Sequence, residues 1–201
     1  MAIKVGINGF GRIGRAFLKI AWERPEIEIV AVNDLGSIES LAYLLRHDTV
    51  YRTWGHEVIV QGADLMIDGK VVKFISEKDT TKLPWGDLGI DVVVESTGLF
   101  TAFDKAKFHL DDGAKRVVIS APAKGSDGSV PGETILLGVN EDKFGTCAIT
   151  SNASCTTNAS SPLIAILDEA LGIEKAILNT VHGYTASQAL VDGPSKKDLR
   201  E

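Results

Sequence analysis

The stretch "GINGFGRIG", residues 6–14, constrains this chain more than any other. It stands between a short β-branched run, "AIKVGIN", and a segment with helical spacing, "RIGRAFLKIAWER". A strand that feeds a helix through a glycine-rich turn belongs to a parallel sheet covered by helices. Gly9, Gly11 and Gly14 have the G-x-G-x-x-G spacing. Gly9 permits the tight turn, Gly11 lets backbone approach a pyrophosphate, and Gly14 lets the helix pack close to the strand. The helix N-terminus that follows offers unpaired N–H groups and a positive dipole end. Asp34 lies 20 residues beyond Gly14, at the end of the second strand-like run, "EIEIVAVND". A carboxylate in that place binds ribose hydroxyls. It also repels a 2′-phosphate, and "NDLGS" holds no lysine or arginine to receive one, so the pattern favours NAD over NADP. The competing reading is a glycine turn that serves packing alone.

The rest of the chain continues the alternation. Ile13, Phe17, Ile20 and Ala21 are expected on one buried stripe of the first helix, and "SIESLAYLLRHD" on a second helix capped by its serine. Between His56 and Ser76 three short strands are expected as an antiparallel insertion, the last two joined at Asp68-Gly69, a two-residue hairpin signal. Strands then follow at "DVVVEST", "RVVIS", "TILLG", "CAITS" and "KAILNTVHGYT", with a helix through "AFDKAKFHLDDG". A further helix is expected over "TTNASSPLIAILDEALG", with Pro162 in or near its first turn and Gly172 as its stop. No repeat or low-complexity linker is visible.

The 201 residues are 44% hydrophobic and 24% charged, ordinary for a globular protein with a core. The formal net charge is −6, with no run of lysine or arginine, which argues against nucleic acid or an anionic membrane surface as the main partner. The N-terminal stretch "MAIKVGINGF" has neither the apolar run of a signal peptide nor that of a membrane span. Two cysteines make no disulfide framework and suit a reducing, cytoplasmic compartment. Cys147 and Cys155 show no metal-ligand spacing, so no metal site is expected.

Cys155 lies in "SNASCTTN", with no apolar neighbour, between a strand end and a helix start. A helix N-terminus favours a thiolate, the form in which cysteine is a nucleophile. Such a nucleophile can form a thioester from an aldehyde, and it needs a base close in space. His47 and His109 have charged neighbours and are expected to be solvated, and His56 opens an insertion strand. His182 follows the apolar run "AILNTV" at a strand end, and the pattern leaves it open between catalytic base and hydrogen-bonded structural histidine.

"GINGFGRIGR", "ESTG" (95–98), "ISAPAKG" (119–125), "SNASCTTN" and "TVHGYTASQALVDGPSKKDLR" together resemble the glyceraldehyde-3-phosphate dehydrogenases of the phosphorylating, glycolytic type, over all 201 residues. The resemblance implies a Rossmann-type doubly wound parallel sheet of the α/β class over 1–152, followed at 153–201 by the start of an α+β catalytic domain. It implies Cys155 as nucleophile and His182 as its base. It implies NAD as cofactor, held by Gly9, Gly11, the backbone of Arg12 and Ile13, Asp34, Lys78 and, on the nicotinamide side, Ser120. Lys78 stands where the family more often has arginine, so the charge remains without a bidentate grip. Ser154, Cys155, Thr156 and Thr185 are implied as contacts for substrate and inorganic phosphate. The implied partners are glyceraldehyde 3-phosphate, inorganic phosphate and, for the full-length family member, identical subunits in a homotetramer. Family chains are longer, so the resemblance also implies a chain truncated at its C-terminus. Erythrose 4-phosphate as the aldehyde, and a non-catalytic nucleotide-binding fragment, stay open as alternatives.

Overall fold

The computed structural model describes residues 1–124 and 127–184. The chain divides into two compact units, Met1–Pro162 and Leu163–Glu201. The first opens with β1 (Ile3–Asn8), α1 (Arg12–Trp22), β2 (Ile27–Asn33) and α2 (Ile38–Arg46). A two-residue pair, β3 (His47–Asp48) and β4 (Arg52–Thr53), precedes β5 (Val58–Gln61), β6 (Asp64–Ile67) and β7 (Lys70–Ile75). Then come β8 (Val92–Glu95), α3 (Phe103–Ala106), α4 (Phe108–Asp111), β9 (Arg116–Ile119), β10 (Gly132–Thr134) and β11 (Ile149–Ser151). The last helix, α5 (Cys155–Leu171), begins in this unit.

Among the described residues nine strands form one sheet in the order β10-β11-β9-β8-β1-β2-β7-β6-β5. From β10 to β7 every pairing is parallel. The chain winds outward from β1 to β2 and β7, then crosses back to lay β8 on the other side of β1. Order reverses at the β1/β8 pair, and the loops leaving the carboxyl ends of those strands diverge to make a crevice. The parallel sheet expected from the alternating pattern is present, in the doubly wound order that the resemblance implies.

Several local expectations shift. In α1 the buried residues are Gly14, Leu18 and Ala21, spaced four and three apart, while Ile13 and Ile20 are exposed. Phe17 packs half-buried against the core. The insertion is antiparallel only in part: β7 pairs with β6 through Lys70, Val71 and Val72, but with β2, in parallel, through Lys73, Phe74 and Ile75. The hairpin at Asp68-Gly69 forms as expected, with Ile67 opposite Lys70 and both turn residues at positive φ, 48° and 76°. Ser37 caps α2, accepting from the Ser40 N–H at 3.2 Å.

The helix expected through 102–113 breaks at Lys107 into α3 and α4. The strand expected at "TILLG" lies earlier, at Gly132–Thr134, where the chain is in register with β11; Ile135 adds a last hydrogen bond, its N–H donating to the Ser151 carbonyl at 3.0 Å. Pro162 stands inside α5, which starts at Cys155 rather than after it. In the second unit α5 ends at Gly172 as expected: Gly172 has φ 75° and its N–H donates to the Asp168 carbonyl at 2.8 Å. No strand forms over residues 173–184, where "KAILNTVHGYT" suggested one. Ile177 and Val181 are almost fully exposed, and among the described residues no ladder partner satisfies that backbone.

Candidate active site

The glycine turn is built as a close approach of three backbone segments. Gly9 has φ 93°, and a Cβ there would stand 2.6 Å from the Thr97 nitrogen. A Cβ on Gly14 would stand 2.2 Å from the Gly9 carbonyl oxygen, so only glycine lets α1 dock on this turn. Gly11 has no protein atom within 4 Å of the place a Cβ would take. It lines a cavity of about 400 Å³ at the β1/β8 switch point, with Gly9, Asp34, Lys78, Asn8, Asn33, Glu77, Thr80, Ser96, Thr97, Leu99 and Phe100. The fold thus brings together four of the residues expected to hold a nucleotide. Arg12 and Ile13 form the first turn of α1 but do not line this cavity, and neither does Ser120.

Asp34 is positioned by the turn itself. Its carboxylate accepts the Phe10 N–H at 2.6 Å and the Gly36 N–H at 2.8 Å, one on each oxygen. Each oxygen keeps a second lone pair, so the carboxylate can still accept from a pair of hydroxyls. Arg15 donates to the Phe10 carbonyl at 2.8 Å. Burial lowers its guanidinium below the ordinary value, against the opposing pull of Asp48 and Asp34. A backbone-lined turn, an open Cβ position and a fixed carboxylate fit a dinucleotide at this place.

The second cluster lies on the same edge of the sheet, beyond β9 and β11. Ser120 follows β9, its N–H donating to the Glu95 carbonyl at 2.9 Å, and the Asn152 N–H donates to the Ile119 carbonyl at 2.9 Å. Ala153 is buried with φ 57°, a left-handed conformation that non-glycine residues adopt at about 1–2 kcal/mol and that clusters at functional sites. It turns the chain into α5, which Ser154 caps: Ser154 Oγ accepts the Thr157 N–H at 3.0 Å. Ser154 Oγ also lies 2.7 Å from Thr157 Oγ1, and the Asn158 amide donates to the carbonyls of Asn152 and Ser154. Cys155 is thereby the first residue of the helix and is exposed, with Thr156 next to it. Cys147 is half-buried before β11, its Sγ donating to the Ile149 carbonyl at 3.1 Å.

Residues 3–103 match the family model described as "Glyceraldehyde 3-phosphate dehydrogenase, NAD binding domain", and residues 154–201 match its C-terminal domain. The chain belongs to the glyceraldehyde-3-phosphate dehydrogenase family. It is 49% identical to glyceraldehyde-3-phosphate dehydrogenase 1 of Kluyveromyces lactis over 98% of this chain and 59% of that protein. It is likewise 49% identical to the glyceraldehyde-3-phosphate dehydrogenase of Geobacillus stearothermophilus, over 100% of this chain and 58% of that protein. The Podospora anserina enzyme of the same name is 48% identical over the same shares. The chain therefore spans under two thirds of the length of these relatives.

In this member of the glyceraldehyde-3-phosphate dehydrogenase family, His182 belongs to the second unit, is exposed, and has Nδ1 2.5 Å from the Gly183 carbonyl oxygen. Thr185 lies outside the described residues. Sequence reading passed over Asn8, Asn33 and Glu77 as cavity residues. It expected His109 to be solvated, whereas His109 is fully buried. Its ring is satisfied on both sides, by the Trp85 indole N–H at 2.9 Å on Nδ1 and by Glu95 at 3.0 Å on Nε2, which removes the penalty for burying it. Among the described residues no group of three or more His, Cys, Asp or Glu is placed to hold a metal ion, and no helix is long and apolar enough to cross a membrane. A larger hollow of about 630 Å³ lies against Ala16, Lys19, Ile20, Glu23, Arg24 and Tyr51. It sits on the outer side of α1, away from the carboxyl ends of the strands, and is not the site.

Proposed function

We propose that the chain serves the NAD-dependent oxidation and phosphorylation of glyceraldehyde 3-phosphate to 1,3-bisphosphoglycerate, the glycolytic reaction of its family. The observation that carries this reading is the placement, on one sheet edge, of a cavity lined by the glycine turn and Asp34 and of an exposed cysteine opening a helix. Gly9, Gly11 and the first-turn amides at Arg12 and Ile13 take the pyrophosphate, and Asp34 takes the adenosine ribose. Lys78 supplies a cation beside it, and Ser120 faces the nicotinamide side. Residues 1–152 act as the nucleotide domain and 153–201 as the beginning of the catalytic domain.

Cys155 thiolate, favoured by the positive dipole end of α5, adds to the aldehyde carbon. The adduct oxygen is stabilised by backbone N–H groups of the helix start, and His182 removes its proton. The bound nucleotide supplies the hydride acceptor, and the carbon is left as a thioester on Cys155. Inorganic phosphate, held by Ser154, Thr156 and Thr185, attacks that thioester, releasing the acyl phosphate and restoring the thiolate. The working enzyme is proposed to be a cytoplasmic homotetramer.

The test is to incubate the chain with NAD and glyceraldehyde 3-phosphate, and to follow NADH together with the intact protein mass. An acyl adduct on Cys155, discharged by inorganic phosphate and missing from Cys155→Ser, is the expected result. NADH formed by Cys155→Ser at the unaltered rate, or an adduct on Cys147 instead, overturns the assignment.

A further inference from the structure

Beneath the nucleotide cavity runs a chain of buried side chains that the proposed chemistry does not use. Trp85 Nε1 donates to His109 Nδ1 at 2.9 Å, and His109 Nε2 lies 3.0 Å from Glu95 Oε2. Asn8 Nδ2 donates to that same oxygen at 2.6 Å. Asn33 Nδ2 donates to Asn8 Oδ1 at 2.8 Å and to the Glu77 carbonyl at 3.1 Å, and Asn33 Oδ1 accepts the Glu77 N–H at 2.9 Å. On its other oxygen, Glu95 accepts from the Thr97 N–H at 2.8 Å and from the Thr97 hydroxyl. Trp85, His109, Glu95, Asn8 and Asn33 are all at most 6% exposed.

The direction of every bond in this chain follows from one group. An indole N–H can only donate, so His109 Nδ1 accepts and its proton sits on Nε2, pointing at Glu95. The Glu95 carboxylate then receives four donors, two on each oxygen, which fills its lone-pair sites. Because it accepts from Asn8, the Asn8 amide must present its oxygen to Asn33. Asn33 must in turn present its NH₂ to Asn8 and to the Glu77 carbonyl, leaving its oxygen for the Glu77 N–H. Glu95 does not line the cavity, but Asn8, Asn33, Glu77, Lys78 and Thr97 do. The loop carrying Glu77 and Lys78 and the loop carrying Thr97 form opposite walls, and both hang from this carboxylate.

We propose that Glu95 is a positioning residue for dinucleotide binding, a buried carboxylate that sets the polarity of the Trp85–His109–Glu95–Asn8–Asn33–Glu77 chain and thereby fixes both walls of the cavity. The inference rests on the cofactor reading above. A glutamine at 95 keeps the volume, yet its NH₂ meets either the Asn8 and His109 donors or the Thr97 N–H, where only the Thr97 hydroxyl can turn to accept. Either the Asn8 and Asn33 amides turn over, which releases Glu77, or the Thr97 loop is released.

The test compares the full chain with Glu95→Gln, by calorimetric titration with NAD and with AMP and by amide hydrogen exchange without nucleotide. With the circular dichroism spectrum unchanged, both affinities are expected to fall together by at least about tenfold, and the Glu77 or Thr97 amide to exchange faster. Asn8→Leu, which keeps Glu95 but cuts the joint to Asn33, is expected to reproduce the loss and to speed exchange at Glu77; it stands in if Glu95→Gln does not fold. Unchanged affinity for both ligands, or unchanged exchange at Glu77 and Thr97 in Glu95→Gln, overturns the proposal. Failure of the unaltered chain to bind NAD counts against the cofactor reading, whereas the exchange measurement reads the relay by itself.

Discussion

At the scale of single residues, the glycines of one motif separate into those the fold needs and those a ligand needs. The Gly14→Ala methyl would stand 2.2 Å from a backbone oxygen that cannot move without dragging β1 and its turn. Overpacking of this kind costs about 1–3 kcal/mol, and for a chain of this size each kcal/mol lowers Tm by about 2–4 °C. The Gly11→Ala methyl meets no protein atom, at an N-cap residue with φ −68° and ψ −160°, open to any residue. We expect Gly14→Ala to lower Tm by several degrees. Gly11→Ala should leave Tm within about 2 °C yet weaken NAD at least tenfold, because the methyl enters the space the pyrophosphate needs. Calorimetric melting with parallel NAD titration checks both, and equal Tm losses would remove the distinction. The packing demand at Gly14 was legible in the spacing because it is set by the turn a few residues away. His109 was not: its sequence neighbours Asp111, Asp112 and Lys107 suggest solvent, while the partners that let it be buried, Trp85 and Glu95, are remote in the chain.

At the scale of elements, the hairpin insertion is pinned to α1 by a cluster that no periodicity reveals. His56 Nδ1 lies 2.6 Å from Asp68 in the β6–β7 turn, and Nε2 lies 2.6 Å from Glu23 just past α1. Trp22 Nε1 donates to Asp68 at 3.2 Å, and the Lys70 ammonium sits 5.6 Å over the Trp22 ring. The hydrogen bond to Asp68, with a further one to Glu23 and the charge of both, raises the His56 imidazole above its ordinary value despite partial burial. The bond to His56 in turn holds the Asp68 carboxyl low. A raised histidine contributes stability that is complete below its unfolded value and fades as pH climbs through the folded one. A lowered carboxyl contributes stability above its unfolded value and loses it as pH falls through the folded one. The cluster should therefore stabilise most in the mildly acid window between the two. In urea unfolding, the deficit of His56→Ala relative to the parent is expected to be largest there and to shrink toward alkaline pH. A deficit that grows with pH would show that the imidazolium is not what holds the hairpin. The turn at Asp68-Gly69 was readable from two residues, but the tie to α1 depends on docking across the sheet edge. The same holds for the early strand at Gly132–Thr134, whose placement follows its β11 partner rather than its own apolar content.

At the scale of the whole molecule, parallel order from β10 to β7 puts the carboxyl ends of those seven strands on one edge, and so the nucleotide cavity and the cysteine helix share it without sharing strands. The cavity belongs to β1, β2, β7 and β8, while Cys155 follows β11, separated from β8 by β9. Binding and covalent chemistry should then be separable. A ligand that binds only the folded state stabilises it by about 2.7 kcal/mol at one hundred times its Kd, which at about 2–4 °C per kcal/mol is a rise in Tm of about 5–11 °C. That rise is expected for the parent chain with NAD and, undiminished, for Cys155→Ser, because Cys155 does not line the cavity. Asp34→Ala is expected to lose most of the rise, since Asp34 both lines the cavity and ties Phe10 and Gly36 to the turn. It should also let NADP stabilise about as well as NAD, no carboxylate remaining to repel a 2′-phosphate. Melting curves of the three proteins with each nucleotide decide the matter. A nucleotide shift abolished by Cys155→Ser but kept by Asp34→Ala would place the nucleotide at the cysteine and not at the strand switch point.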